Sequence, residues 1–145
     1  MAETPTETAN RELVVRFWEA LRARDFDAVG AFMSERGHYI DAPLVGADPG
    51  AYGPEETAAR LRLGLEKLSN YILHDGPIIA RDDMVITEHI EEWFWHTGEH
   101  AKVLFTSVME VRDGKVDRWW DYVDIGQLLG AAPQWWHEHI MAGYK

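Results

Sequence analysis

The stretch from Met84 to Asp124 constrains this chain more than any other. Apolar and polar residues alternate along it, and Thr97-Gly98 and Asp113-Gly114 divide it into three segments of strand length. Asp-Gly between alternating runs is a strong hairpin signal because both residues tolerate positive φ. The pattern predicts a three-strand antiparallel meander, with strands over 84–95, 102–111 and 115–124. Side chains two apart on a strand share a face, so His89 and Glu91 point one way while Glu88 and Ile90 point the other. Asp121 shares its face with Trp119 and Val123. Three polar groups on the inner face of an otherwise apolar, Trp-rich sheet are the best lead to function.

The flanking text gives the class. Residues 1–8 read as a flexible tail, and Thr8 or Asn10 is placed to cap a first helix whose apolar stripe is Leu13, Val14, Phe17, Trp18 and Leu21. Phe26, Val29, Phe32 and Met33 predict a second, short helix ending near Gly37. His38 to Pro43 reads as a short edge strand, because it alternates and stops at proline. Gly53-Pro54-Glu55-Glu56 has the marks of a helix start, with Leu61, Leu65 and Leu68 as its buried stripe and an end near Ser69-Asn70. Tyr71 to Ile79 follows as one strand. After the meander, Asp124 caps a short helix around Ile125 to Leu129, and a tail carries Trp135, Trp136 and His139. Helices followed by a bent antiparallel sheet argue an α+β fold with helices on one face. At 145 residues the chain is read as one domain over 9–145.

Composition removes several functions. With 14 basic against 25 acidic residues, a formal charge of −11, the chain repels phosphate backbones, and no nucleic-acid partner is expected. The absence of cysteine excludes disulfides, a thiolate nucleophile and a thiolate metal site. The first ten residues lack an apolar signal-peptide core and no run is long enough to span a bilayer, so a cytoplasmic protein with no membrane partner is expected. His96 and His100 flank a turn, and His137 and His139 lie in the tail. Neither pair has a third ligand at fixed spacing, so both read as surface histidines. His89, Glu91, Asp121 and His38 could form a nitrogen and oxygen site in space, but no metal or cofactor is expected.

Order and motifs together resemble the nuclear transport factor 2-like superfamily, and within it the limonene-1,2-epoxide hydrolases and SnoaL-like proteins. The residues that carry the resemblance are Tyr39-Ile40-Asp41-Ala42-Pro43, His89-Ile90-Glu91, and Trp119-Trp120-Asp121-Tyr122-Val123-Asp124. They stand where the epoxide hydrolases have Tyr-x-Asn-x-Pro, Arg-x-Asp and Trp-Arg-Asp-Tyr-Phe-Asp. The resemblance implies a cone of curved sheet closed by helices over an apolar pocket, and a homodimer through the sheet. By the same resemblance Asp121 is the base that activates water, Tyr39 and Asp41 hold that water, Glu91 protonates the epoxide oxygen, and His89 stands at the Arg position. Three of these positions depart from the motif: Asn to Asp41, Arg to His89 and Asp to Glu91. His89 carries one proton without the guanidinium's fork geometry, and a third carboxylate at Asp41 pushes at least one pKa up.

Each candidate also has a plain reading. Asp121 could tie the sheet end to a helix, a one-residue slip would turn Glu88 and Glu92 inward instead of His89 and Glu91, and Tyr39 could be simple packing. Parity makes Trp93, Val103, Phe105, Trp119 and Val123 pocket-lining, with Leu128 closing the pocket from the last helix. Phe94, Trp95 and Trp120 fall nearer a second surface or the strand ends. Three functions follow: a cofactor-independent epoxide-hydrolase-like enzyme acting on a small apolar molecule, a SnoaL-like cyclase or ketosteroid-isomerase-like proton shuttle, and a non-catalytic ligand-binding module.

Overall fold

The computed structural model describes residues 2–143. Met1 of the expected tail and positions 144 and 145 of the expected domain lie outside the described residues. Helix α1 runs Pro5–Arg22, four residues earlier than a cap at Thr8 would place it. Thr4 caps it instead: its hydroxyl accepts the Glu7 N–H while the Glu7 carboxylate accepts the Thr4 N–H, with Pro5 opening the first turn. This reciprocal box is a stronger start signal than a lone Thr or Asn. The buried stripe is the expected one, Leu13, Val14, Phe17, Trp18 and Leu21.

Helix α2 spans Phe26–Phe32, and Met33 already begins strand β1, Met33–Asp41. Gly37 therefore lies inside a strand and does not end a helix. Strand β2 is Ala51–Tyr52 and helix α3 is Gly53–Leu65. The single strand expected over Tyr71 to Ile79 is two, β3 (Asn70–His74) and β4 (Ile78–Arg81). Both pair antiparallel with β5 (Met84–Phe94), on either side of a break at residues 75–77. Gly76 permits the break by crossing so close to the Glu88 carbonyl that a Cβ there would collide with it. Strands β6 (His100–Arg112) and β7 (Lys115–Val123) complete the expected meander.

The strand order is β2-β1-β7-β6-β5-β3. Contrary to expectation β1 is no edge: it runs parallel to β7, with Tyr39 beside Trp119 and Asp41 beside Asp121, and its other side meets β2. The sheet is thus mixed. Local alternation reveals a strand but not its partner, and this partner lies some eighty residues away. The protein is α+β, a curved, unclosed sheet whose inner face is covered by helices.

The C-terminal stretch is also more ordered than a tail. Helix α4 is Ile125–Ala131, capped by Asp124 as expected, and α5 is Gln134–Gly143. Trp136 of α5 is buried against Trp93 and Trp95, with ring centroids 5.9 and 5.8 Å away, and donates its N–H to the Gly64 carbonyl at 3.1 Å. Trp95 is consequently core and does not face a second surface. Among the described residues no helix is long and apolar enough to cross a membrane.

Candidate active site

Strand pleat and register assemble the site. On β5 the inward residues are Val85, Thr87, His89, Glu91 and Trp93, as the alternation requires. On β6, Ser107 lies opposite both Thr87 and Asp121, so it stands between the two polar strands. On β7, Asp121 has Ser107 on one side and Asp41 on the other. His89, Glu91 and Asp121 keep only 4%, 4% and 3% of their surface, so their charges are held in a low-dielectric core.

Each carboxylate has defined donors. One oxygen of Glu91 is hydrogen-bonded to His89 Nε2 at 3.1 Å, and the other accepts the Trp93 indole N–H at 2.8 Å. Asp121 Oδ1 accepts both the Ser107 hydroxyl at 2.5 Å and the Trp119 indole N–H at 2.7 Å. The His89 ring is gripped by Trp18 at 4.6 Å and lies parallel to Phe105 at 5.3 Å. Tyr39 stacks on Trp119 at 3.9 Å, which brings it into contact with the side chain that donates to Asp121.

Burial dominates the electrostatics. It pushes the Asp121 carboxyl up to about 7; the charges of Asp41 and Glu91 add to the rise, while His89 and the Ser107 hydroxyl oppose it. Burial likewise lifts Asp41 to about 6, against the pull of the Arg60 guanidinium and with a push from Glu91. For His89, burial works downward, but the hydrogen bond and charge of Glu91, aided by Asp121, overcome it and leave the imidazole above its usual range. The cluster therefore retains protons near neutrality.

The structure brings Asp121, Glu91 and His89 into one buried group and places Asp41 at its flank. Asp41 lies 3.7 Å from the Arg60 guanidinium, which also binds Asp48 at 3.0 Å and sits over the Tyr39 ring. The expected lining residues Trp93, Val103, Phe105, Trp119, Val123 and Leu128 are all buried. They border neither a cavity of about 230 Å³ that reaches His89 nor an open hollow of about 440 Å³ by His38 and Tyr52. The six side chains are core at these two places because they pack on one another and on the helices.

Three residues escaped the sequence reading. Tyr71 on β3 is buried, with its phenol held well above its usual range by burial and then by the adjacent Glu91. Ser107 was legible from the parity of Val103 and Phe105 on β6. Arg60 had no local signal, because its position depends on the rotation of α3. Among the described residues no group of three or more His, Cys, Asp or Glu could hold a metal ion. His100 binds Glu92 at 3.0 Å, His139 meets the Leu63 carbonyl at 3.1 Å, and the rings of His96 and His137 lie against Trp135 and Trp136.

Among solved structures, the chain is similar to an LEH-like epoxide hydrolase of M. tuberculosis at 23% identity and a TM-score of 0.71, covering 96% of this chain and 94% of that one. It is also similar to TerC, co-crystallized with polyporic acid, at 20% identity and a TM-score of 0.74 over 85% of this chain and 97% of the other. A protein of Jannaschia sp. CCS1 described as a SnoaL-like polyketide cyclase superposes with a TM-score of 0.77 at 18% identity, covering 92% and 99%. At such identities these likenesses establish the fold alone. No curated protein shows significant similarity to the sequence. The family model for the SnoaL-like domain matches residues 14–119, and since that span is most of the chain, the protein belongs to the SnoaL-like domain family.

Proposed function

We propose that this protein is a cofactor-independent acid–base enzyme acting on a small, mostly apolar molecule, with hydrolytic epoxide opening as its reaction. The observation that carries this reading is Asp121: a buried carboxyl with a pKa of about 7, fixed by Ser107 and Trp119 beside a second buried carboxyl, Glu91. A base works best when its pKa lies near the working pH. Asp121 takes a proton from water, the water oxygen attacks an epoxide carbon, the carbon–oxygen bond opens, and Glu91 protonates the departing oxygen. Tyr39 and Asp41 hold the water. One turnover leaves Asp121 with an added proton and the His89–Glu91 pair short of one, so a single proton passed back resets the site. His89, hydrogen-bonded to Glu91, is assigned the return of that proton in this reading.

Tyr71 supports a second reading. Its phenol stays protonated and faces Glu91, so it is a standing donor for an enolate oxygen if Asp121 removes a carbon-bound proton instead. One screen separates the two: terpene and styrene-type epoxides assayed for diols, and cyclic ketones assayed for deuterium uptake, each with wild type and Asp121→Asn. Diol formation abolished by the substitution is the expected result. Diol formation that survives it rejects Asp121 as the base, and ketone exchange without diols selects the proton-transfer reading. If neither occurs but ligands raise the melting temperature, the protein is a binding module.

A further inference from the structure

His89 also lines a cavity of about 230 Å³ between α1 and the interrupted edge of the sheet, which neither Asp121 nor Glu91 lines. The interruption builds it. Strand β3 pairs with β5 over residues 90–94 and β4 pairs over 84–87, so the edge is open at Glu88 and His89 except for the bond from the Glu88 N–H to the Pro77 carbonyl. Gly76, which lines the cavity, is held against the Glu88 backbone where no larger residue fits.

Three side chains that line the cavity each carry a buried polar atom with no hydrogen-bond partner among the described residues: Trp18 Nε1, Thr87 Oγ1 and His89 Nδ1. Their residues are 4%, 2% and 4% exposed. Unpaired polar groups this deep each cost about 1–3 kcal/mol, so three around one cavity call for a shared partner. Indole nitrogen only donates, and the threonine hydroxyl can donate, so the complementary group is an oxygen acceptor. Val15, Leu73, Ile78 and the Trp18 ring supply apolar walls. Glu19, Asp75 and Glu88 also line the cavity, while Arg22 is tied to Asp75 at 2.5 Å and to the Leu73 carbonyl at 3.2 Å. That balance disfavours anions. As a size guide, a cavity of about 150 Å³ accommodates benzene, so this one suits a single substituted ring.

We propose that this cavity is a second ligand site, taking a small neutral molecule with one carbonyl or hydroxyl oxygen on an apolar body, the oxygen accepting from the Trp18 indole N–H and the Thr87 hydroxyl. The site goes beyond the acid–base reading, since binding there needs neither Asp121 nor Glu91. Because His89 Nε2 meets Glu91, an occupant also touches the buried cluster through one imidazole.

Titration of ¹⁵N-labelled protein with cyclohexanone, read at the Trp indole N–H signals, tests it. The Trp18 signal, identified by its loss in Trp18→Phe, is expected to shift saturably. Thr87→Val is expected to weaken binding about fivefold, the loss of one neutral hydrogen bond, and Thr87→Ser to restore it. Asp121→Asn should bind as wild type does, which separates this site from the function of Asp121, and cyclohexanecarboxylate should not bind. A Trp18 signal unmoved up to the solubility of cyclohexanone would mean the cavity holds water only and overturn the proposal. So would shifts confined to Trp93 or Trp119, or undiminished affinity in a folded Thr87→Val.

Discussion

Asp121 is costly to ionise, and that cost has a sign. Its pKa in the folded chain, about 7, lies above the ordinary 3.8, so the folded state binds the proton more tightly than the unfolded state. The stability this provides is fully present below about pH 4 and is lost as pH rises through about 7. Asp121→Asn keeps an oxygen for Ser107 and Trp119 and removes the loss. It should raise the melting temperature by about 5 °C at pH 8 and leave it nearly unchanged at about pH 4, by thermal denaturation at both. Ser107→Ala has a different signature. The Ser107 hydroxyl lowers the Asp121 pKa, so its removal should shift the rising limb of kcat/KM upward by about one pH unit. These residues were partly legible: strand parity alone placed His89, Glu91 and Asp121 on one face. Tyr71 and Arg60 were not, because one depends on the register of β3 against β5 and the other on how α3 turns over β1.

At the scale of elements, what alternation and turn residues determine locally agrees with the fold. The β5–β6–β7 meander, the Asp113-Gly114 turn and the Asp124 cap all appear where the pattern puts them. The differences are non-local. β1 joins β7 in parallel, and α5 is held by contacts to Trp93, Trp95 and Gly64 that no local pattern announces. Helix α5 closes the end of the sheet nearest Glu91, since Trp136 rests on Trp93, the residue that donates to Glu91. Trp136→Ala should therefore cost about 3–5 kcal/mol in urea unfolding and should also disturb the orientation of Trp93, seen as altered near-UV circular dichroism.

For the whole molecule, the concave face carries the core and the buried acid–base group, and the convex face of the sheet exposes Ile86, Leu104 and Tyr122 at 42%, 53% and 44%. We propose that this face forms a homodimer, which would cover apolar surface that a solitary chain leaves wet. Light scattering should give twice the chain mass for wild type and the monomer mass for Leu104→Glu. A monomeric wild type at micromolar concentration would reject this arrangement and leave the acid–base group untouched, because Asp121 and Glu91 are buried within one chain.

The proposed chemistry needs a buried aspartate poised as a base near neutrality. The most direct test needs no substrate: the ¹³C shift of the Asp121 side-chain carboxyl, assigned by its absence in Asp121→Asn and followed through a pH titration. A midpoint at about 7 is the predicted result. A midpoint near the ordinary 3.8 would contradict it, leaving Asp121 a permanently ionised structural aspartate.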